Sequence, residues 1–343
     1  MRRLIVVVMI LTLVVFATSR PVSAAERPKT KIRLLTTAMG TGAYFLAFKL
    51  AEIVNKKSTW LQLEPVEAGG SAANIQMVMR DPSIKKTTII NSTNLSTDFA
   101  RRALPPFTKS YKEVMGTDLQ VAFGQYNMLC PFITTDPKMR TINDLAGKKA
   151  VLASKGMAAG YVNQYILEKH GLWSKIKPQY MDYAPSANAL RDGLVDAVVA
   201  MVTLSKSGEY SVIGAFTELL ATKDVYLVHG GDASIMEQVG KEKGIEVVPV
   251  HMSGKFDNRP IPTPMTTFYQ GVAWVVDETV DEAVVYEVTK LLYENIDEIR
   301  AVHPSMNVMT RAVLANVSSE ANFHRGARKF FKEAGVKIGF HGL

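Results

Sequence analysis

One order of pieces occurs twice in this chain, and that repeat limits what the chain can fold into. In the first copy "KIRLLTTA" (Lys31–Ala38) reads as a buried strand, and a glycine turn then leads into "AYFLAFKLAEIVNK". Leu46, Leu50, Ile53 and Val54 in that segment recur at helical spacing. "LQLEPVE" (Leu61–Glu67) is a second strand, which Pro65 makes an edge or interrupted one. "AGGSAANIQMVM" turns into a short helix, and "TTII" (Thr87–Ile90) is a third strand ending in Asn91-Ser92-Thr93-Asn94. In the second copy the strand is "KKAVLAS" (Lys148–Ser154), the small-residue turn "KGMAAG" and the helix "YVNQYILEKHG". "PQYMDYA", "PSANALRDG" and "VDAVVAMV" (Val195–Val202) complete it as strand, helix and strand. The second turns also match, with Ser71 standing 29 residues after Gly42 and Ser186 standing 26 after Gly160. Alternating strands and helices predict an α/β fold with doubly wound, mainly parallel sheets, and two copies predict two lobes. Loops at the carboxyl ends of both sheets then face one crevice, the usual ligand position in open α/β folds.

The rest of the chain connects and braces the two copies. "LQVAFGQYNMLCPFITT" (Leu119–Thr135) is extended and apolar, suited to a strand crossing between lobes. A return crossing falls within "VVPVHMSGKFDNRPIPTPMTTFYQGVAWVV", where prolines forbid helix but allow extended chain. After it, Val284, Val285, Val288, Leu291, Leu292 and Ile299 form a helical stripe that packs back as a brace. The expected division is a signal peptide over 1–24, lobe I over 27–122 plus about 268–343, and lobe II over 123–267.

The first 24 residues point outward from the cytoplasm. Met1-Arg2-Arg3 is a basic start, "LIVVVMILTLVVFA" an apolar run, and "VSA" (Val22–Ala24) a small-residue cleavage site. With no cysteine near that site, the expectation is a cleaved leader, no lipid anchor and a periplasmic protein. Three of the arginines behind the formal charge of +8 lie in this leader, and the remaining basic residues are scattered among acids. A nucleic-acid partner, which needs a clustered basic face, is not expected. Cys130, the single cysteine, lies in the apolar "NMLCPFI" and reads as a small buried hydrophobe.

Most catalytic readings fail on spacing. After Gly40 and Gly42 a dinucleotide fingerprint requires a third glycine, but Phe45 stands there, and no Gly-Lys-Ser/Thr follows to make a P-loop. "GGSAA" (Gly69–Ala73) approaches a hydrolase elbow around Ser71, with alanine in the last place. Its oxyanion-like "VHGGD" lies on the wrong side of the serine in chain order, and Ser71 also reads simply as a helix cap. The six histidines show no metal-ligand pairing, so neither a metal nor a cofactor is expected. What remains is a pocket of dipoles. Gly40, Gly42, Ser71, Asn74, Asn91 and Ser92 offer donors from the first copy, and Lys155, Gly156, Met157 and Ala158 face them from the second. Helix N-termini of this kind hold anions. Tyr44, Phe45 and Met157 would cover the apolar part of a ligand. In the bland reading Ser71 and Asn74 only cap, and Tyr44 and Phe45 are core.

Motifs in this order resemble those of the TAXI group of solute receptors for TRAP transporters. "TTAMGTGAYFLAFKLAEIVN" is similar to that family's glycine–glycine–tyrosine opening, and "AGGSAANIQMV" to its Gly-Ser-x-x-Asn turn. "TINDLAGKKAVLAS", "LRDGLVDAVVA" and "AVHP" (Ala301–Pro304) match later motifs, so the likeness spans about 31–305. The resemblance implies a two-lobed periplasmic binding protein fold, type II-like, with C-terminal bracing helices. It implies no enzyme activity, but capture of a small organic anion, a carboxylate or amino acid, and delivery to an ion-gradient-driven TRAP permease of the inner membrane. Gly42, Tyr44, Ser71 and Asn74 are the implied first-lobe contacts. The alternatives are a receptor for an ATP-driven importer or an exported serine hydrolase. The chain departs from the family where a Ser-Gly pair is usual: it has Gly156-Met157-Ala158-Ala159-Gly160, with Lys155 able to supply a cation or to stay solvated. The expected ligand is therefore a less polar or larger carboxylate than glutamate.

Overall fold

The computed structural model describes residues 27–339 other than Ala38, Gly40, Ser205, Lys206, Ser207 and Pro262. The expected leader and Gly40 lie outside the described residues. Strand β1 (Thr30–Leu35), helix α1 (Gly42–Lys57), β2 (Leu61–Val66), α2 (Ser71–Arg80) and β3 (Thr88–Thr93) form the first copy. They are followed by α3 (Asn94–Arg102), α4 (Tyr111–Met115) and the long β4 (Leu119–Leu129). Cys130 and Pro131 then break the chain before β5 (Phe132–Thr134). The second copy is β6 (Lys149–Val151), α5 (Ala158–Lys169), β7 (Lys177–Gln179), α6 (Tyr183–Arg191) and β8 (Ala197–Val199). Short pieces follow: β9 (Val202–Leu204), β10 (Glu209–Val212), α7 (Thr217–Thr222), β11 (Tyr226–Val228) and α8 (Ala233–Lys243). After β12 (Pro249–Met252), β13 (Lys255–Phe256) and β14 (Arg259–Pro260), the chain returns along β15 (Met265–Asp277). Helices α9 (Glu282–Glu294), α10 (Ile296–Arg300) and α11 (Arg325–Glu333) close it.

The repeat survives as topology. The order β2-β1-β3-β15-β4 in the first sheet matches β7-β6-β8-β5-β11 in the second. In each, β1 with β2 and β3, or β6 with β7 and β8, forms a parallel triplet. The added strand, β15 or β5, runs antiparallel. The fold is thus α/β in two lobes, as expected from the duplication. β2 is the edge strand that Pro65 requires, since it pairs with β1 alone.

One feature differs from the expectation of a single sheet for each copy. Beyond Leu129 the first sheet continues through β9, β10, β13 and β14. These strands run two to four residues, too short for a period of two to register in the sequence.

The packing follows the sequence patterns. Leu46, Leu50, Ile53 and Val54 are buried along α1, and Val284, Val285, Val288, Leu291 and Leu292 along α9, which packs on α1 and α11. All thirteen residues of β15 are buried. It pairs with β4 from Asp277 to Tyr269, so the crossing strands form one antiparallel ribbon through the molecule. At Gly124 the segment near Val313 lies so close that a Cβ would meet the Val313 carbonyl at 2.3 Å, which only glycine avoids.

Candidate functional site

Helices in both lobes begin with unsatisfied N–H groups. A helix leaves its first N–H groups without internal acceptors unless a side chain caps them. On α1 the Thr41 hydroxyl accepts the Tyr44 N–H at 3.2 Å. On α2 the N-cap is Gly70, in the left-handed region at φ 78°, and no side chain caps it. Ser71 is therefore the first helical residue, not the cap that the sequence suggested. Its own φ is 23°, a strained value for a residue with a Cβ. Its half-buried hydroxyl has no hydrogen bond with the described residues. In the second copy Met157 is the N-cap of α5 and supplies no acceptor. At α6 the Asp182 carboxylate accepts the Ser154 hydroxyl instead of capping the helix.

The Asn74 side chain is engaged within the first sheet. It is fully buried, and its Nδ2 donates to the carbonyls of Leu35, Thr36 and Asn91 at 3.2, 2.9 and 3.1 Å. Its Oδ1 accepts the Gly70 N–H at 2.9 Å. One amide thus ties the ends of β1 and β3 to the turn before α2. Both ends of the amide are engaged by backbone groups of the protein itself.

Beside it runs a row of buried polar atoms without partners. The registers place Leu35 opposite Ile90 and Asn91 opposite Trp274. Parallel partners share a face, so Thr36, Asn91 and Trp274 form one line across the sheet. Trp274 donates Nε1–H to Gln125 Oε1 at 3.1 Å, which adds Gln125 to the line. Thr36 Oγ1, Asn91 Nδ2 and Gln125 Nε2 are buried and unpartnered. Gln125 Nε2 lies 3.5 Å from where a Cβ would stand on Gly42, at the start of α1. Buried polar groups in folded proteins nearly always have a hydrogen-bond partner, so three on one line call for an explanation. Ser92 Oγ and Asn94 Nδ2 are also buried and unpartnered, but Ser92 alternates to the opposite face from Asn91. In the second lobe the buried Tyr183 hydroxyl is unpartnered, and burial raises its pKa well above the ordinary tyrosine value.

The remaining expected residues are placed as follows. Tyr44 stacks with exposed Phe48 at 4.4 Å, and Phe45 lies flat on His303 at 4.3 Å. Both rings are therefore engaged in packing along α1 and its covering segment. Lys155 is exposed with its ammonium 5.2 Å from the Tyr180 ring centre. Gly156 approaches Pro106 of the segment between α3 and α4, with 4.0 Å between a Cβ position and Cγ. Met157 is half-buried and Ala158 buried at the head of α5. Cys130 is fully buried, and burial pushes its thiol far above the ordinary range, so it is no nucleophile. Among the described residues no three His, Cys, Asp or Glu side chains group to hold a metal ion. No described helix is long and apolar enough to cross a membrane.

A family model described as the NMT1-like family matches residues 34–335. The chain belongs to the NMT1-like family. No curated protein matches this NMT1-like chain at a significant level. Among solved structures it is similar to the periplasmic aliphatic sulphonate binding protein SsuA from Escherichia coli, at 16% identity. That alignment covers 83% of this chain and 81% of SsuA, with a TM-score of 0.44. It is similar to MatC from Rhodopseudomonas palustris, solved with bound malate, at 12% identity over 90% of this chain and 97% of MatC, TM-score 0.48. A TctC solute binding protein from Polaromonas gives 14% identity over 83% of this chain and 90% of that one, TM-score 0.47. At these distances, the ligand chemistry of this NMT1-like protein rests on its own side chains.

Two of those side chains, Thr36 and Gln125, escaped the sequence reading. A polar residue closing a buried strand was the available signal for Thr36, as it was for Asn91. For Gln125 it was the Gly-Gln pair inside an apolar strand, a mark of a bulge. A second polar cluster in this NMT1-like protein joins α3 to the segment after α8, which itself packs on α5. Asp98 Oδ2 accepts the Glu246 N–H at 2.7 Å, and Arg102 Nε donates to the Gly244 carbonyl at 3.0 Å. Glu246 in turn accepts the Ser318 hydroxyl at 2.7 Å and the Ser319 N–H at 3.0 Å. Burial outweighs the Arg101 guanidinium at 3.3 Å and raises the Asp98 pKa to about 6.

Proposed function

We propose that this protein is an exported solute receptor that captures a small organic oxyanion, a carboxylate in the first place, between its two lobes. The observation that carries the reading is the row of three buried, unpartnered groups that runs from the carboxyl end of β1 across β3 to the crossing ribbon. The uncapped starts of α2 and α5 support it, because free helix N–H groups favour anions. The hinge is the β4–β15 ribbon, dividing lobe I (27–122 plus about 268–343) from lobe II (123–267). Closing the lobes around the solute stabilises the closed form, which a membrane permease then reads. No bond is made or broken.

At the finer level the motifs favour the TAXI group and a TRAP-type permease, with residues 1–24 acting as a cleaved export signal and the protein working in the periplasm. A gene for a many-span fused permease beside this one supports that assignment; a neighbouring ATPase gene replaces it with an ATP-driven importer.

Thermal unfolding tests the receptor reading directly. A solute at about a hundred times its Kd stabilises the native state by about 2.7 kcal/mol, so the melting temperature rises with concentration. Native mass spectrometry of the protein as purified identifies any solute retained. A flat melting temperature across a broad panel of organic acids and amino acids refutes the proposal.

A further inference from the structure

Gln125 sits on a bulge of the crossing ribbon. Tyr126 opposes Val272 while Gly124 opposes Ala273, so the ladder leaves Gln125 between them without a partner. The side chain is fully buried. Its orientation is fixed by chemistry: the Trp274 indole is a donor only, so the amide oxygen must face it, as the 3.1 Å contact shows. The amide nitrogen is thereby turned toward the start of α1, where it has no partner. The other unpartnered atoms of the row are the Asn91 amide nitrogen and the Thr36 hydroxyl oxygen. Two of these three can only donate, and the third can do so. An oxyanion, which only accepts, matches the row. None of the three is cationic, so the group they select is recognised by hydrogen-bond geometry and not by a counter-charge.

We propose that Gln125 contacts the solute and sets its specificity: its Nε2–H₂ donates to the carboxylate or sulfonate of the ligand beneath the start of α1, while the Asn91 amide and the Thr36 hydroxyl, farther along the row, meet other polar atoms of the same solute. The inference rests on the receptor reading above and names the chemical group that the receptor grips. Trp274 is a positioning residue, acting through the amide oxygen of Gln125.

The test is calorimetric titration of the purified, dialysed protein with succinate, L-malate, 2-oxoglutarate, 4-methyl-2-oxovalerate and ethanesulfonate. The first four carry carboxylates and the last a sulfonate, so the panel separates the two forms of the same chemistry. Expected is binding by the wild type, weakened by roughly 10- to 100-fold in Gln125→Leu. Gln125→Glu still accepts from Trp274 but presents an oxygen to the anion, and a loss of at least about 100-fold is expected. Thr36→Val, nearly equal in shape, covers the case in which a Gln125 variant does not fold, and a loss of roughly tenfold is expected from it. Melting of each variant without solute establishes that it is folded. Wild-type binding with every folded variant within about twofold overturns the assignment of Gln125 and leaves the receptor standing. Absence of binding by the wild type to the whole panel, and of any solute retained on purification, overturns both.

Discussion

Two buried titratable residues act on stability in opposite directions over the same pH range. Asp98 is pushed up to about 6 by burial, so the folded protein holds its proton more tightly than the unfolded chain does. Its contribution is full below about pH 4 and is lost as pH rises through 6. His324 is fully buried at the start of α11, where Nδ1 accepts the Gly326 N–H, and burial lowers its pKa to about 4. The unfolded chain takes up that proton first, so the His324 contribution is full above about 6.5 and is lost as pH falls toward 4. Each effect is on the order of 3 kcal/mol, so the two nearly cancel in the wild type. Asp98→Asn is expected to make unfolding free energy rise from pH 4.5 to 7. His324→Asn, which keeps a capping side chain, should make it fall over the same interval. Urea denaturation at both pH values checks the pair; parallel slopes in the two variants contradict the assignment.

Among elements, the turn between β2 and α2 depends most on a single side chain. Asn74→Ala leaves the Gly70 N–H and the carbonyls of Leu35, Thr36 and Asn91 without their shared amide. A loss of about 2–4 kcal/mol in the unliganded protein is expected by chemical denaturation, since buried backbone groups are left unpaired. An unchanged unliganded stability with weakened solute binding would instead return Asn74 to the role of ligand contact. Reading the sequence located this turn but not its logic. Spacing exposed the strands and helices of both copies, because each buried face repeats at 2 or 3.6 residues. It gave no sign of the extension through β9, β10, β13 and β14, whose brevity removes any period. Asn91 was visible as a polar end to an apolar strand. Gln125 was hidden because a bulge changes which face a residue points to, and alternation alone then misassigns it.

The whole molecule is held by more than its ribbon. The segment after α8 is gripped by Asp98 and Arg102 on one side and by Ser318 and Ser319 on the other. With the lobes divided as proposed, this clasp joins them, and we expect it to favour the closed arrangement even without solute. Glu246→Ala removes the two contacts from Ser318 and Ser319 while leaving its own N–H on Asp98. We expect a larger radius of gyration for the unliganded variant by small-angle X-ray scattering. We also expect roughly tenfold weaker solute binding, the equivalent of about one net hydrogen bond. Identical scattering curves for variant and wild type would remove the clasp from the closing equilibrium. The bulge at Gln125 has its own bearing on that motion. The ladder between β4 and β15 slips once between Val272 and Ala273 and again between Trp274 and Val275, and such slips concentrate the twist of a ribbon. Gln125 and Trp274 stand on those two steps. If the ribbon is the hinge proposed above, torque applied to it turns the very amide that faces α1, and seating the solute and rotating the lobes then share one mechanical part.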